Sequence, residues 1–219
     1  MIDFSLILQA LPTLLRGLIV SLEIAFGALC IGMIGGTILG IGQSLGSPLV
    51  RAIIGIYAAI IRGTPMLIQI VFLYYLVSVA GIGLSPFATA VIAIGLNSSA
   101  YVSQIMRAGI LAVPRGQREA AKTLGISSRD TILYIMLPHA VRVVLPALGN
   151  ESVTLVKDSS LASLIGVMEL YKEGQVVISL TYDALSTYCA IAALYLLVTT
   201  TLSFAVYRLE IFLNRHAHH

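Results

Sequence analysis

Three ionisable residues interrupt an apolar stretch in the second half of the chain: Glu151, Lys157 and Asp158. Glu151 and Asp158 are seven positions apart, so on a helix they share a face two turns apart, with Lys157 one step round. Two carboxylates and an ammonium so placed suit a zwitterion. A cation takes its carboxylate, an acid takes its ammonium, and a spare carboxylate (Glu151) favours a cationic side chain. The same residues also fit a plainer arrangement, with an internal Lys157 salt bridge and Glu151 at an aqueous interface, and residue type leaves both open. Asn97, Ser98 and Tyr101 add uncharged hydrogen-bonding groups that serve either a solute or helix packing. Hydrolytic chemistry has no support: the chain has no H-E-x-x-H, no G-x-S-x-G and no Cys or His cluster at metal-ligand spacing, and His139 stands alone.

The elements that must position these groups follow from composition. The 219 residues are 58% hydrophobic and 11% charged, where a soluble domain is about a quarter charged. Apolar runs longer than the roughly 20 residues that cross a bilayer as helix recur along the chain. They lack the alternation of a barrel strand, and in lipid only helices or closed barrels satisfy the backbone. The expected fold is therefore all-α and polytopic: one membrane domain over 1–219 with about five spans, near 13–45, 49–80, 87–112, 138–156 and 184–209. Charged residues inside such spans are functional suspects. Glu23 reads equally as an outer-interface residue, and Arg62 as one that snorkels to the headgroups. Gly32, Gly36 and Gly40 form a small-residue face suited to close helix packing or a dimer seam. Gly63 and Pro65 in "IRGTP" predict a kink or break in the second run. Cys30 and Cys189 fall in apolar runs and read as small hydrophobes. No basic stripe with interleaved aromatics points to nucleic acid, and no cleavable leader pattern opens the chain. The histidines His216, His218 and His219 are set aside as a native tail or a tag remnant.

Basic residues orient the spans. Arg51, Arg107, Arg115, Arg118, Lys122, Arg129, Arg142, Arg208 and Arg215, nine of the thirteen Lys and Arg, gather on one side. The positive-inside rule then puts the N-terminus outside and the C-terminus in the cytoplasm. Residues 113–130 become a cytosolic segment, polar yet helix-favouring. A short helix is expected near 115–124 with Gly125 as its C′ residue, followed by a second helix capped by Ser127 or Ser128 and running toward Pro138. Small Ala120 and Ala121 beside Glu119 would suit docking into a groove of another protein, and a solvated amphipathic loop on the headgroups would fit the composition as well. Residues 157–183 read as an external segment with short helices.

The run Glu119-Ala120-Ala121, Gly125, Ile135, Pro138 resembles, at every motif position, the EAA motif of importer-type ABC-transporter permeases. "IRGTPMLIQIVFLYY" (61–75), "LNSSAYVSQIMRAGILAVPRGQREAAKTLG" (96–125), "LPHAVRVVLPALGNE" (137–151) and "VKDSSLASLIGVMEL" (156–170) resemble the polar amino acid permeases within that family. The resemblance implies a type I importer fold in a bacterial inner membrane. It implies a coupling helix carrying Arg118, Glu119, Ala120, Ala121 and Gly125 that docks on cytoplasmic ATPase subunits. It also implies a second permease subunit, identical or related, and an external substrate-binding protein that meets the outer segment. "GNE" and "KDSSL" would line the substrate route. The chain has no G-x-x-x-x-G-K-[ST] loop, so ATP and Mg²⁺ would be handled by the partner, with no cofactor in this chain. An ATPase-independent secondary transporter or channel is the alternative; it accounts for the hydrophobicity and the buried charges and leaves the EAA segment without a purpose.

Overall fold

The computed structural model describes residues 2–215, apart from the side chains of Arg115 and of residues 213–215. His216, His218 and His219 lie outside the described residues. The first helix, α1 (Phe4–Leu45), is 42 residues long, about 63 Å at ~1.5 Å per residue against a hydrocarbon core of ~30 Å. It begins well before the expected start at residue 13. Asp3 caps it, accepting from the N–H groups of Ser5 and Leu6. The Ser5 hydroxyl and those two N–H groups hold the Asp3 carboxyl below its usual range. The Asp3 N–H donates to Ser186 Oγ at 2.8 Å, and Ser186 in turn bonds Asp183 at the start of the last helix, so the two helix starts are tied together.

Next come α2 (Pro48–Gly63) and α3 (Met66–Val79), capped respectively by Ser47 and introduced by Pro65. The two are bent by 107° at the "RGTP" break, as Gly63 and Pro65 predict. The following helix, α4 (Pro86–Ala112), packs along α1. A Cβ at Gly32, Gly36 or Gly40 would come within 3.0 Å of Ser98, Val102 or Met106, respectively. The small-residue face is thus filled by α4 of the same chain, and no side chain larger than hydrogen fits there.

Beyond the short α5 (Arg115–Thr123), α6 (Ser128–Asp130), a π-helical turn (Thr131–Met136) and α7 (Leu137–Asp158) run on as one rod. With a 3-10 turn (Ser159–Ile165) it reaches 38 residues, Ser128–Ile165. The helix that holds the expected fourth span, 138–156, therefore runs beyond it at both ends. Pro138 does not start it; the proline's missing N–H falls next to the π turn, where the regular bonding ladder is already shifted. Two more helices, α8 (Leu170–Thr181) and α9 (Ala184–Arg215), complete the chain.

Three of these rods, Phe4–Leu45, Ser128–Ile165 and Ala184–Phe212, are long and apolar enough to cross a membrane, and the bent α2–α3 pair passes the same test as either a broken fourth span or a re-entrant loop. The remaining expected span, α4, has the length but not the apolarity. Its polar residues Asn97, Ser98, Ser99 and Ser103 are all buried, so α4 is sheltered by its neighbours instead of facing lipid. Gly17 on α1 admits the backbone of Glu169 and Leu170 at the start of α8. That contact seats α8 on an apolar cluster of Leu14, Leu18, Leu170, Val177 and Ile191.

Candidate functional site

One turn of α4, residues 97–101, collects polar groups from three other elements. Asn97 Nδ2 donates to Gln69 Oε1 of α3 at 2.9 Å. Ser98 Oγ donates to Glu151 Oε1 of α7 at 2.8 Å. Ser99 Oγ lies 2.8 Å from the hydroxyl of Tyr57 on α2, which also donates to the Leu96 carbonyl at 2.8 Å. Arg62, at the end of α2, places its guanidinium carbon 5.3 Å from the centroid of the Tyr101 ring. Four sequence-predicted residues, Asn97, Ser98, Tyr101 and Glu151, therefore lie at one junction. Arg62, itself exposed, turns its head onto α4.

Gln69 also fixes the break between α2 and α3. Its Nε2 donates to the Ile61 carbonyl at 2.6 Å, to the Thr64 carbonyl at 3.1 Å and to Thr64 Oγ1 at 2.8 Å. The carbonyls freed where Gly63 and Pro65 end the helix are thereby satisfied, as a low-dielectric setting requires. One amide thus spans the bend on one side and Asn97 on the other.

The α7 helix is unbroken from Leu137 to Asp158, so Glu151 and Asp158 do share a face, both half-buried. Lys157 belongs to an exposed stripe with Val143, Ala147, Asn150 and Thr154. Lipid tails cannot solvate an asparagine and a lysine, so this stripe borders water or protein. The plainer reading in which Lys157 is withdrawn into an internal pair does not describe this geometry.

At the other end of the molecule, α5 closes as its residues predict. Gly125 takes φ +70°, and the Ile126 N–H donates to Ala121 O at 3.0 Å while the Gly125 N–H donates to Lys122 O at 3.1 Å. This is the paired bonding of a glycine C′ stop. Ser127 is the cap of the next helix: the Asp130 N–H donates to Ser127 Oγ at 3.1 Å and the Ser127 hydroxyl donates back to Asp130 Oδ2 at 2.7 Å. Arg118, Glu119, Ala120 and Lys122 are exposed. Ala121 is not, at 2% exposure. It faces its own chain, because the turn that ends α5 folds back toward the π turn, and only Ala120 of the pair is free for a partner. Leu124, 77% exposed, is the large apolar side chain presented there. Beside it an open groove of about 580 Å³ is lined by Leu45, Arg118, Glu119, Lys122, Ile126 and Met136 among others.

Three residues of consequence were not singled out by type and spacing. Gln69 is the sole amide inside an otherwise apolar helix, a signal available in the sequence. Tyr57 has no such mark. Glu169, read as one of several external charges, is fully buried. Its carboxylate accepts from Ser21 Oγ (3.3 Å), Tyr195 OH (3.2 Å) and the N–H groups of Tyr171 (2.9 Å) and Lys172 (2.8 Å). It caps α8 and clamps it to α1 and α9.

A helical body of long apolar rods, with a polar junction inside it and an exposed short helix at one end, defines a class: an integral membrane protein of several helices. The family described as binding-protein-dependent transport system inner membrane component matches residues 33–210, and the chain belongs to it. Among curated proteins, the chain is 38% identical over 210 residues to the glutamine transport system permease protein GlnP of Escherichia coli K12, covering 95% of this chain and 96% of that one. It is 36% identical to the L-cystine transport system permease protein TcyB of Bacillus subtilis, covering 94% and 88%. It is 34% identical to the arginine transport system permease protein ArtQ of the same organism, covering 93% of each. Among solved structures, an amino acid ABC transporter crystallised with histidines superposes with TM-score 0.87 at 35% identity, covering 96% of this chain and 98% of that one. The inward-facing MetNI methionine ABC transporter, at 20% identity and TM-score 0.76, shares the fold. The EAA resemblance is thus upheld: the chain is an ABC permease subunit of the amino acid type, integral to the membrane, and ATP hydrolysis falls to a separate subunit.

Proposed function

We propose that the chain imports a polar amino acid by pairing with a second permease, identical or related, and letting cytoplasmic ATPases drive it through α5. The N-terminus lies outside and the C-terminus in the cytoplasm. An external binding protein delivers substrate to the surface formed by residues 157–183. Arg118, Glu119, Ala120 and Gly125 present or shape the docking helix, and Ala121 anchors it to its own chain. Substrate passes Lys157 and Asp158, then the junction of Asn97, Ser98, Tyr101 and Glu151. ATP and Mg²⁺ stay on the partner.

The observation that carries this reading is the Ser98–Glu151 bond, which fixes a carboxylate at the α4–α7 junction beside the polar stripe of α7. A carboxylate there favours a cationic amino acid such as arginine or lysine. The relatives are named for glutamine, cystine and arginine alike, so the preference rests on Glu151. Proteoliposomes holding permease, ATPase and external binding protein test it. Uptake of labelled arginine, lysine, glutamine and cystine should require ATP inside and be indifferent to ion gradients. Uptake driven by a proton or sodium gradient without ATP would instead make the chain a secondary transporter.

A further inference from the structure

Pro65 leaves the α2–α3 break with a defined defect. Proline has no N–H, so the carbonyl four residues back, that of Ile61, lacks the donor a continuous helix would give it. Gln69 Nε2 supplies one at 2.6 Å and also reaches the carbonyl and hydroxyl oxygens of Thr64. Carbonyl oxygens only accept, so the atom Gln69 turns toward α2 is its NH2 nitrogen, and its own oxygen faces the other way. There it accepts from Asn97 Nδ2 at 2.9 Å. The orientation of Asn97 is thereby fixed as well, with its NH2 toward α3. One half-buried glutamine sets two amides and the backbone of the break.

Little else holds this corner. Helices α2 and α3 each pack on α4, and far less on one another. Gly63, Thr64 and Pro65 are exposed, and a Cβ at Gly63 would meet nothing within 4 Å, so no neighbour wedges the 107° bend. Among the described residues, Gln69 is the one side chain of α3 that hydrogen-bonds to α2.

We infer that Gln69 is a positioning residue for transport: it locks α2, α3 and α4 into one corner, so that the 97–101 turn keeps a single geometry. This rests on the reading that the chain is a permease whose substrate passes that turn. Gln69 acts through the bend and through Asn97, and touches no solute itself. Without its amide, the Ile61 carbonyl would stand in a low-dielectric setting with no donor, and the break would twist until it found one. The α2 helix would then swing against α3, and Asn97 would lose its partner.

The test uses the purified permease–ATPase complex, ATP-free, with Cys30 and Cys189 replaced and spin labels at positions 53 and 79. Ile53 on α2 and Val79 on α3 are both exposed. They lie about 15 Å and about 21 Å from the break, so a swing of roughly 20° changes their separation by about 5 Å, which pulsed electron paramagnetic resonance resolves. With Gln69 present the distances should form one narrow distribution. Gln69→Met keeps the length and loses the amide; it should shift or broaden the distribution by that amount. It should also lower ATP-driven uptake per folded complex by about tenfold or more, as expected when a positioned group moves by about 1 Å. Uptake is expressed per folded complex because a residue that only stabilised the fold would change yield and melting temperature and leave that rate alone. The assignment is overturned if Gln69→Met keeps the distribution, or if it alters the distribution and still transports at the wild-type rate. Should Gln69→Met not fold, Gln69→Glu is judged by the same two readings; it keeps an acceptor for Asn97 and lacks the donors for Ile61 and Thr64. Wild-type complex that takes up no amino acid on ATP sinks the permease reading and this assignment with it. Intact wild-type uptake with a failed Gln69→Met comparison sinks Gln69 alone.

Discussion

The α5 helix and the 97–101 turn of α4 are built on opposite principles. The first is nine residues long, exposed apart from Ala121, and closed by a glycine stop, with a serine cap opening the helix that follows it. The second is buried apart from Tyr101, and its Asn97, Ser98 and Ser99 side chains bond elements distant in sequence. A lever must be stiff in itself and free on its working face. A junction that passes a solute must be fixed by its surroundings and still offer polar contacts. The two regions should therefore fail differently when mutated, α4 and its neighbours through assembly and α5 through coupling.

The largest effect is expected in the seam that positions the junction. Gly36→Leu would drive a side chain into Val102 and the Ser99 carbonyl. Overpacking of this kind commonly costs about 1–3 kcal/mol, and against a backbone atom more. The variant should fail to accumulate as folded protein, which fluorescence-detected size exclusion in detergent reads directly; a normal profile would break the claim that α1 and α4 are locked together. Next is Glu169→Ala, which leaves two N–H groups of α8, Ser21 and Tyr195 without their acceptor. A buried donor left without its acceptor costs roughly 1–3 kcal/mol. Its melting temperature should drop clearly, with Glu169→Gln in between.

Glu119→Ala belongs to the other class. No hydrogen bond ties its side chain to the described residues, so the melting temperature should stay within a degree or two of wild type. ATP-coupled uptake should nevertheless fall, by about 30-fold if Glu119 is a docking hot spot worth ~2 kcal/mol. A stability loss that matched the uptake loss would erase the contrast between the regions. Glu151→Gln sharpens it from the junction side. The Ser98 hydroxyl keeps an acceptor, so folding should survive, while preference for cationic over neutral amino acids should weaken roughly tenfold, the worth of one charge-assisted contact at ~1.4 kcal/mol. Equal ranking before and after would remove the argument for a basic substrate. The smallest change is Gly125→Ala. At φ +70° a Cβ costs about 1 kcal/mol, so α5 should fray and uptake fall a few-fold with the membrane body intact.

How far each region could be read from the residues follows the same divide. The stop at Gly125, the cap at Ser127 and the break at Gly63–Pro65 are local signals, in which a residue type and its immediate neighbours dictate the backbone. They appear in the structure where the sequence puts them. The pairing of Asn97 with Gln69, of Ser98 with Glu151, and of Glu169 with Ser21 and Tyr195 joins residues from 26 to 148 positions apart. Nothing local encodes such pairing; it is set by which helices become neighbours. Residue type therefore flagged Asn97, Ser98, Tyr101 and Glu151 singly but not as one junction. It left Glu169 unmarked within the 157–183 segment and took Ala121 for a docking contact, because burial depends on the fold of the whole chain. The helices extend beyond the expected spans for a related reason. Hydropathy marks where a helix can sit in lipid, whereas α1 and the 128–165 rod continue past that limit, supported by α8 and by the turn after α5.

The central claim is that α5 is a cytosolic lever gripped by an ATPase, and a single cysteine at position 119, in a chain freed of Cys30 and Cys189, tests it most directly. In intact cells a membrane-impermeant maleimide should leave position 119 unlabelled, and after the cytoplasmic face is opened it should label fully. A short bifunctional crosslinker at that cysteine should then capture the ATPase subunit, less so when nucleotide is withheld. Labelling of position 119 from the outside, or a crosslinked product that never contains the ATPase, would contradict the account.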